Sequence, residues 1–345
     1  METEKHQQGA QMATILDVAR TAGVSPATVS RALNDGTVKQ ATREKVLRAA
    51  NKLGYTVNGQ VREQTEDAPT NNIAMVVNQL IRFYCPDIIA GTIAQTQTYD
   101  YRLMVADAGT PGNTVEELVD HLREDCDGFI PVSCQLSDDD IRRIYPVETT
   151  VLANRAVDGY SSVIFDEDEG MLKAIRHLVS YGHTRIAYAA GPEQSWTARR
   201  RRASYEKIMA GFDLEPHVLG PFEDGYMGGI NAGDAVLLDR SFTAIITYGH
   251  NMAAALINRL AERGVQTPRD ISVIGADDGL VAQSFSPSIS TISPNQEVVG
   301  HEAARILIDM LKRQADGEPF VPTTTVIPGA FNVRESTGEC PEPHK

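Results

Sequence analysis

Residues 14–34, TILDVARTAGVSPATVSRALN, constrain this chain more than any other stretch. They read as a short helix, a tight turn and a second helix. On the first helix Ile15, Val18 and Ala19 make an inner face, with Ala22 one turn on. Gly23 can take a positive φ and end that helix. Ser25 then stands at an N-cap with Pro26 at the first helical position, a preferred way to start another. Val29 and Leu33, spaced i and i+4, turn inward and leave Thr28, Ser30, Arg31 and Asn34 facing out. Small hydroxyls, an arginine and an asparagine on one face can approach base edges and phosphates. An ordinary αα-hairpin has the same local pattern, so this stretch alone leaves both readings open.

Residues 42–53, TREKVLRAANKL, add a third amphipathic helix with Val46, Leu47, Ala50 and Leu53 at helical spacing, closed by Gly54-Tyr55. From Met12 to Tyr55, MATILDVARTAGVSPATVSRALN and TREKVLRAANKLGY resemble, without a gap, the DNA-binding headpiece of the LacI/GalR family of bacterial transcriptional regulators. The resemblance implies an all-α headpiece over 12–55. Its DNA contacts would come from Thr14, Ser25, Pro26, Ala27, Thr28, Ser30, Arg31, Asn34, Lys45 and Tyr55, with Asn58 just beyond. The eleven residues before Met12 read as a polar extension or an alternative start.

Charge divides the chain in the same place. The whole is acidic, 32 basic against 46 acidic residues, which by itself argues against a nucleic-acid partner. Between Met12 and Gln60, however, seven basic residues (Arg20, Arg31, Lys39, Arg43, Lys45, Arg48, Lys52) face three acidic ones (Asp17, Asp35, Glu44). A basic head on an acidic body binds phosphate through the head alone.

At 345 residues the chain has room for two or three domains, and 42% hydrophobic residues suffice for a large core. No apolar run approaches a membrane span, and the polar N-terminus has no signal-peptide h-region, so a cytoplasmic protein is expected. The four cysteines (Cys85, Cys126, Cys134, Cys340) have neither CxxC spacing nor a disulfide-dense pattern, which fits free thiols and no metal site.

Residues 56–72, TVNGQVREQTEDAPTNN, are polar and read as a linker. In the resembled family a short hinge helix here pairs across the dimer and presses a leucine into the minor groove, repaying an unstacking cost of a few kcal/mol with extra contact. This chain departs from that pattern. Val57 stands where the family has proline, Gln64 where it has the wedge leucine, and Glu63, Glu66 and Asp67 add charges that repel phosphate.

From Ile73 onward short apolar runs alternate with amphipathic stretches. Strands are expected at 73–77, 102–106, 128–132, 151–153, 163–165, 185–189, 244–247 and 271–275; helices at 87–99, 115–123, 170–181, 198–210, 251–263 and 296–313. The alternation implies an α/β body with parallel sheets and crossover helices. Two blocks, before and after about residue 166, suggest two doubly wound lobes with a cleft at the carboxyl ends of the strands. HLVSYGHTRIAYAAGP, WTARRRRASY, TPRDISVIGADDG and VRESTG also resemble, in order and spacing, the effector domain of the same family and the periplasmic sugar-binding fold. An effector-binding and dimerisation domain over 73–338 and a tail over 339–345 follow.

The resemblance implies a small-molecule effector (a sugar, sugar phosphate or nucleoside), an operator in double-stranded DNA, and a homodimer or higher assembly without cofactor. Expected effector residues are Asp277 and Asp166 after strands, and Arg199, a fork of hydrogen-bond donors. To these are added Arg155 in ANR and Ser133 at a strand end, with Phe222, Phe83 and Tyr84 as ring walls. His250 is the odd member: Gly249-His250 replaces the family's Asn-Asp, exchanging a hydroxyl acceptor for a group that titrates near neutrality. That exchange points away from a simple hexose and toward a phosphorylated, acidic, pentose or nucleoside ligand. Enzyme motifs are absent: no GxSxG, Walker loop, HExxH or GxGxxG opening a helix after a strand. A free-standing solute-binding module and a sugar-modifying enzyme are the competing readings. The head counts against the first, and nothing in the motifs supports the second. The reading is an effector-responsive regulator, a repressor of carbohydrate or nucleoside utilisation genes that binds a pseudo-palindromic operator as a dimer.

Overall fold

The computed structural model describes residues 14–33, 38–53, 69–78, 80, 85–109, 114–293 and 295–341. They make two compact units, one before and one after the Pro69–Thr70 peptide. The first holds α1 (Ile15–Ala22), α2 (Pro26–Leu33) and α3 (Gln40–Leu53). Thr14 and Asp17 form a reciprocal capping box on α1: the Thr14 hydroxyl accepts from the Asp17 N–H, and the Thr14 N–H donates to the Asp17 carboxylate at 2.9 Å. Gly23 ends α1 at φ +66°. Ser25 caps α2, its Oγ accepting from the Thr28 N–H at 3.2 Å. Val18, Ala19, Val29, Ala32, Val46, Ala49 and Ala50 are the buried core. The expected Asn34, Tyr55 and Asn58, the linker residues Val57, Glu63, Gln64, Glu66 and Asp67, and the Leu33 side chain lie outside what is described.

The second unit is tied down at its start, where the Asp127 carboxylate accepts from the backbone N–H groups of Thr70 (2.7 Å) and Asn71 (2.8 Å). Its first lobe runs β1 (Asn72–Val77), α4 (Cys85–Thr98), β2 (Arg102–Asp107), α5 (Val115–Arg123), β3 (Gly128–Val132), α6 (Asp138–Ile144), β4 (Val151–Ala153) and β5 (Ser161–Phe165). The chain then crosses into α7 (Glu167–Ser180), β6 (Ile186–Ala189), α8 (Trp196–Gly211), β7 (His217–Leu219) and α9 (Tyr226–Leu238). The second lobe continues with β8 (Ala244–Thr247), α10 (His250–Ala261), β9 (Ser272–Ala276), α11 (Leu280–Ser284) and β10 (Ser290–Ser293). Both cores follow the period-two alternation of strands covered on both faces. On β1, for example, Ile73, Met75 and Val77 enter one core cluster and Ala74 and Val76 another.

The lobes are not two consecutive halves of the chain. After β10 the long helix α12 (Gln296–Ala315) returns to the first lobe, packing Val299, Ala303 and Leu307 into the β1–β3 core. Gly300 permits its close approach to α4, since a Cβ there would stand 2.0 Å from the Ile88 carbonyl oxygen. Next, β11 (Thr324–Ile327) pairs with β5, and β12 (Ala330–Asn332) goes back to β10. The two six-stranded orders are therefore β11-β5-β4-β3-β1-β2 and β12-β10-β9-β8-β6-β7, parallel throughout except for the antiparallel β10–β12 pair. The expected division at about residue 166 is correct for the first of three crossings and misses the other two. The first and third run side by side: the Asp166 N–H donates to the Ile327 carbonyl (2.9 Å), and the Gly329 N–H to the Glu169 carboxylate (2.8 Å).

Candidate functional site

The headpiece presents a polar outer face. Thr14, Ser25, Pro26, Ala27, Arg31 and Lys45 are exposed, and Thr28 and Ser30 are half-buried. Arg31 is held back along α2 by a hydrogen bond from its Nε to the Ala27 carbonyl at 3.2 Å. The N-termini of α1 and α2 bring backbone N–H groups and a positive dipole end to the same small module, which suits phosphate oxygens.

In the larger unit a polar crevice of about 40 Å³ lies between the lobes, at the carboxyl ends of the strands. Ser133, Asn154 and Asp277 follow β3, β4 and β9 directly and line it, and all three hold positive φ, at 47°, 55° and 60°. Such angles are uncommon outside glycine, and asparagine and aspartate tolerate them best. Here each residue donates its N–H to a neighbouring strand: Ser133 to Ala153, Asn154 to Val163, Asp277 to Ile292, each at 2.8 Å. The ladder thus extends one residue past each strand before the chain turns its polar side chain into the crevice. Three strained residues around one site are the pattern expected where function holds the backbone.

The charge centre is Arg201. Its two terminal nitrogens donate to both Asp277 oxygens, at 3.0 and 2.8 Å, one of them also to the Tyr248 carbonyl at 2.8 Å, and its Nε reaches Glu167 at 3.3 Å. Arg201 and Glu167 are each 5% exposed. Burial pushes the Glu167 carboxyl up to about 7; Arg201 opposes the shift and the Asp277 charge adds to it. Burial works against the charge on Arg201, but Asp277 and Glu167 more than offset it and hold its pKa well above the usual value. Gln296, from the first-lobe helix α12, reaches across to Asp277 at 3.4 Å and to the Asn154 amide at 3.2 Å. Trp196, Phe165 and Tyr248 supply ring faces.

A raised carboxyl pKa has a defined consequence for stability. The folded chain retains the Glu167 proton to about pH 7, whereas the unfolded chain loses it near 4.5. Glu167 therefore favours the folded state below 4.5 and loses that advantage as pH rises to 7. Urea titrations of wild type and Glu167→Gln across pH 4.5–7.5 are expected to show the wild-type stability falling relative to the variant. A difference that is flat or rises with pH would contradict the burial of an ionisable Glu167.

Of the residues expected from sequence, Asp277 and Ser133 line the crevice. Arg199 does not: it is exposed, one residue off the inner face of α8, and donates to the carbonyls of Glu193 and Gln194. The buried positions of that helix are Ala198, Arg201, Ser204, Tyr205 and Met209, a 3–4 spacing that singles out Arg201. Asp166 is the N-cap of α7, accepting from the Glu169 N–H at 3.0 Å, and its neighbour Glu167 points inward instead. Arg155 is buried beside the crevice, paired with Asp138 and 5.6 Å over the Trp196 ring. Phe222 packs against the β8–β9 core and His250 is buried in the first turn of α10 under Gly275, so neither lines the crevice. Phe83 and Tyr84 lie outside the described residues. The sequence reading missed Glu167, Arg201, Trp196, Asn154, Tyr248 and Gln296.

Among the described residues no helix is long and apolar enough to cross a membrane, and no group of three or more His, Cys, Asp or Glu could hold a metal ion. Residues 14–58 match the model of bacterial regulatory proteins of the lacI family, and residues 175–337 match a periplasmic binding protein-like domain. The HTH-type transcriptional regulator RegA of Clostridium saccharobutylicum is 31% identical over 321 residues, covering 89% of this chain and 96% of RegA. The HTH-type transcriptional repressor PurR of Vibrio campbellii is 30% identical over 311 residues, covering 87% and 92%. Among solved structures, the lac repressor dimer bound to operator and the anti-inducer ONPF superposes with a TM-score of 0.70 at 25% identity, covering 95% of this chain and all of that one. The transcriptional regulator CelR in complex with cellobiose gives 0.68 at 27%, covering 94% and 99%. With head, body and order of elements all shared, this chain belongs to the lacI family of DNA-binding transcriptional regulators, which are not enzymes.

Proposed function

We infer that this regulator is a dimeric repressor whose hold on a pseudo-palindromic operator is set by a neutral, hydroxyl-rich effector, a sugar or a nucleoside, in the crevice. The carrying observation is the Glu167–Arg201–Asp277 cluster. Arg201 is the sole cation lining the crevice among the described residues, and two carboxylates already occupy its donors. A phosphate or carboxylate ligand meets a guanidinium whose donors are taken and whose charge Asp277 already balances, and Glu167 adds negative charge as pH rises through about 7. A hydroxyl meets acceptors at Asp277 and Glu167, amides at Asn154 and Gln296, and the Trp196 ring to stack its apolar face. Phosphorylated and acidic effectors are therefore disfavoured, and with His250 outside the crevice lining the sequence argument against a hexose falls away too. The cellobiose in the CelR complex is a ligand of the favoured kind.

The crevice joins residues of both lobes, so a ligand there gains different contacts in open and closed arrangements, which is what lets binding shift a conformational equilibrium. Coupling of about 1–3 kcal/mol is typical and suffices to change operator affinity several-fold to a hundredfold. A thermal-shift screen of the protein against sugars, sugar phosphates and nucleosides tests the reading, since ligand at 100 times Kd adds about 2.7 kcal/mol. The chain's single tryptophan, Trp196, gives an independent fluorescence signal. Hits confined to sugar phosphates would overturn the neutral-ligand assignment.

On the head, Arg31 is exposed on the outer face of α2 and Lys45 is exposed on α3. Arg31→Ala is expected to weaken specific operator binding by about 1–3 kcal/mol, the value of a base-reading arginine. Lys45→Ala is expected to weaken specific and non-specific DNA alike and to flatten the salt slope by about one unit. Gel-shift titrations at several salt concentrations separate the two roles. Equal operator affinity for wild type and Arg31→Ala would remove base reading from Arg31.

A further inference from the structure

The first lobe contains a second cavity, of about 140 Å³, at the carboxyl ends of β1 and β3 beside α5. Val77, Val115, Val132 and Leu136 line it with the Tyr145 ring and the Cys134 thiol. The segment after β3 is a partition: Ser133 lines the polar crevice, Cys134 and Leu136 line the apolar cavity, and Gln135 lines both. No charged side chain is among its described lining residues. Burial raises the Cys134 thiol pKa, which keeps that wall neutral and unreactive.

Size and walls together narrow what fits. Engineered cavities of about 150 Å³ with aliphatic walls take up benzene. The Tyr145 ring adds edge-to-face contact and the Cys134 sulfur a polarizable partner, both of which favour an aromatic ring over an aliphatic group of equal volume. Asn78 and Gln135, the amides among the lining residues, can hydrogen-bond one polar substituent. We propose that this cavity binds a single six-membered aromatic ring on an uncharged small molecule whose polar substituent meets Asn78 or Gln135. The regulator then has an aromatic-binding compartment distinct from the polar crevice, and this assignment stands whether or not the crevice holds a sugar.

Phenol is the probe, with benzoate as its charged counterpart. Full-length protein is expected to gain about 2–4 °C in Tm at phenol concentrations roughly five times Kd, saturably. Benzoate is expected to give no saturable gain, because its carboxylate finds no counter-ion among the described lining residues. Val115→Phe, at a half-buried position on the cavity wall, places a ring of the chain's own in the space and is expected to abolish the phenol response. Cys134→Phe does the same from the segment after β3 and serves if the first variant fails to fold. NMR of the wild type locates the ligand without any variant: phenol is expected to shift the methyl signals of Val77, Val115, Val132 and Leu136 and leave the Trp196 indole N–H signal unmoved. The proposal is overturned if phenol gives no saturable gain, if a folded filled variant keeps the gain, or if the shifted methyl groups lie elsewhere.

Discussion

Replacing Arg201 by methionine is expected to destabilise the larger unit by about 3–5 kcal/mol, the range found when one partner of a buried ion pair is removed. The substitution keeps most of the side-chain volume and discards the charge. It leaves Glu167, which is buried, and Asp277, which is half-buried, near each other without a counter-ion, and it removes a donor from the Tyr248 carbonyl. The loss is expected to depend on pH. Arg201 lowers the Glu167 pKa, so without it Glu167 holds its proton to still higher pH, and the destabilisation grows as pH rises toward 8. Adding Glu167→Gln to Arg201→Met is expected to recover part of the stability, a non-additivity that marks a shared network. Arg201→Lys is expected to fall between, because an ammonium cannot make the two-pronged contact to Asp277. Urea unfolding followed by far-UV circular dichroism at pH 5 and pH 8 measures each. A loss under about 1 kcal/mol for Arg201→Met at pH 8 would show that the cluster is solvated and does not hold the lobe together.

How much of this molecule is legible in its sequence depends on whether the signal is local. The headpiece is, because caps and turns act within four residues: Thr14 with Asp17, Gly23 at positive φ, Ser25 with Pro26. The central strands β3, β4 and β8 are equally plain, since strands covered on both faces tend to near-continuous apolar runs, and their expected limits match the structure. The edge strands β7, β11 and β12 lack that run and were missed, and so was the interior strand β10, whose sequence STIS is polar although every position is buried. Helix α9 hides behind Gly228, Gly229 and Gly233, which weaken any helical reading. They are present because α10 packs against them: a Cβ on Gly229 would stand 2.4 Å from the Met252 carbonyl oxygen. The return of α12 and β11 to the first lobe has no local signature at all, being a choice of partner far along the chain. The site errors are errors of phase. Arg199 and Arg201 belong to one arginine run, and only the register set by Ala198, Tyr205 and Met209 distinguishes them. Asp166 and Glu167 are adjacent carboxylates, one used by the helix terminus and the other by the crevice.

Asp277→Asn is expected to uncouple the regulator from its effector while leaving operator binding at the wild-type level. Asparagine preserves the shape of the side chain and tolerates the left-handed backbone at this position, so the turn after β9 survives. What goes is the charge that both pairs with Arg201 and, in the proposed reading, accepts from a ligand hydroxyl. A hydrogen bond to a charged group contributes about 1.5–3 kcal/mol, which corresponds to roughly 10- to 150-fold weaker effector binding. The head has its own core of Val18, Val29, Val46 and their neighbours, so its fold, and with it DNA binding in the absence of effector, does not depend on Asp277. Two measurements together carry the argument. Trp196 fluorescence, titrated with the ligand found by screening, gives the change in effector affinity, and a gel shift with and without that ligand gives the response at the operator. If Asp277→Asn protein answers the effector at the wild-type concentration, Asp277 does not touch it. If operator binding is lost without effector, the residue acts through folding or assembly, and size-exclusion chromatography with circular dichroism tells those two apart.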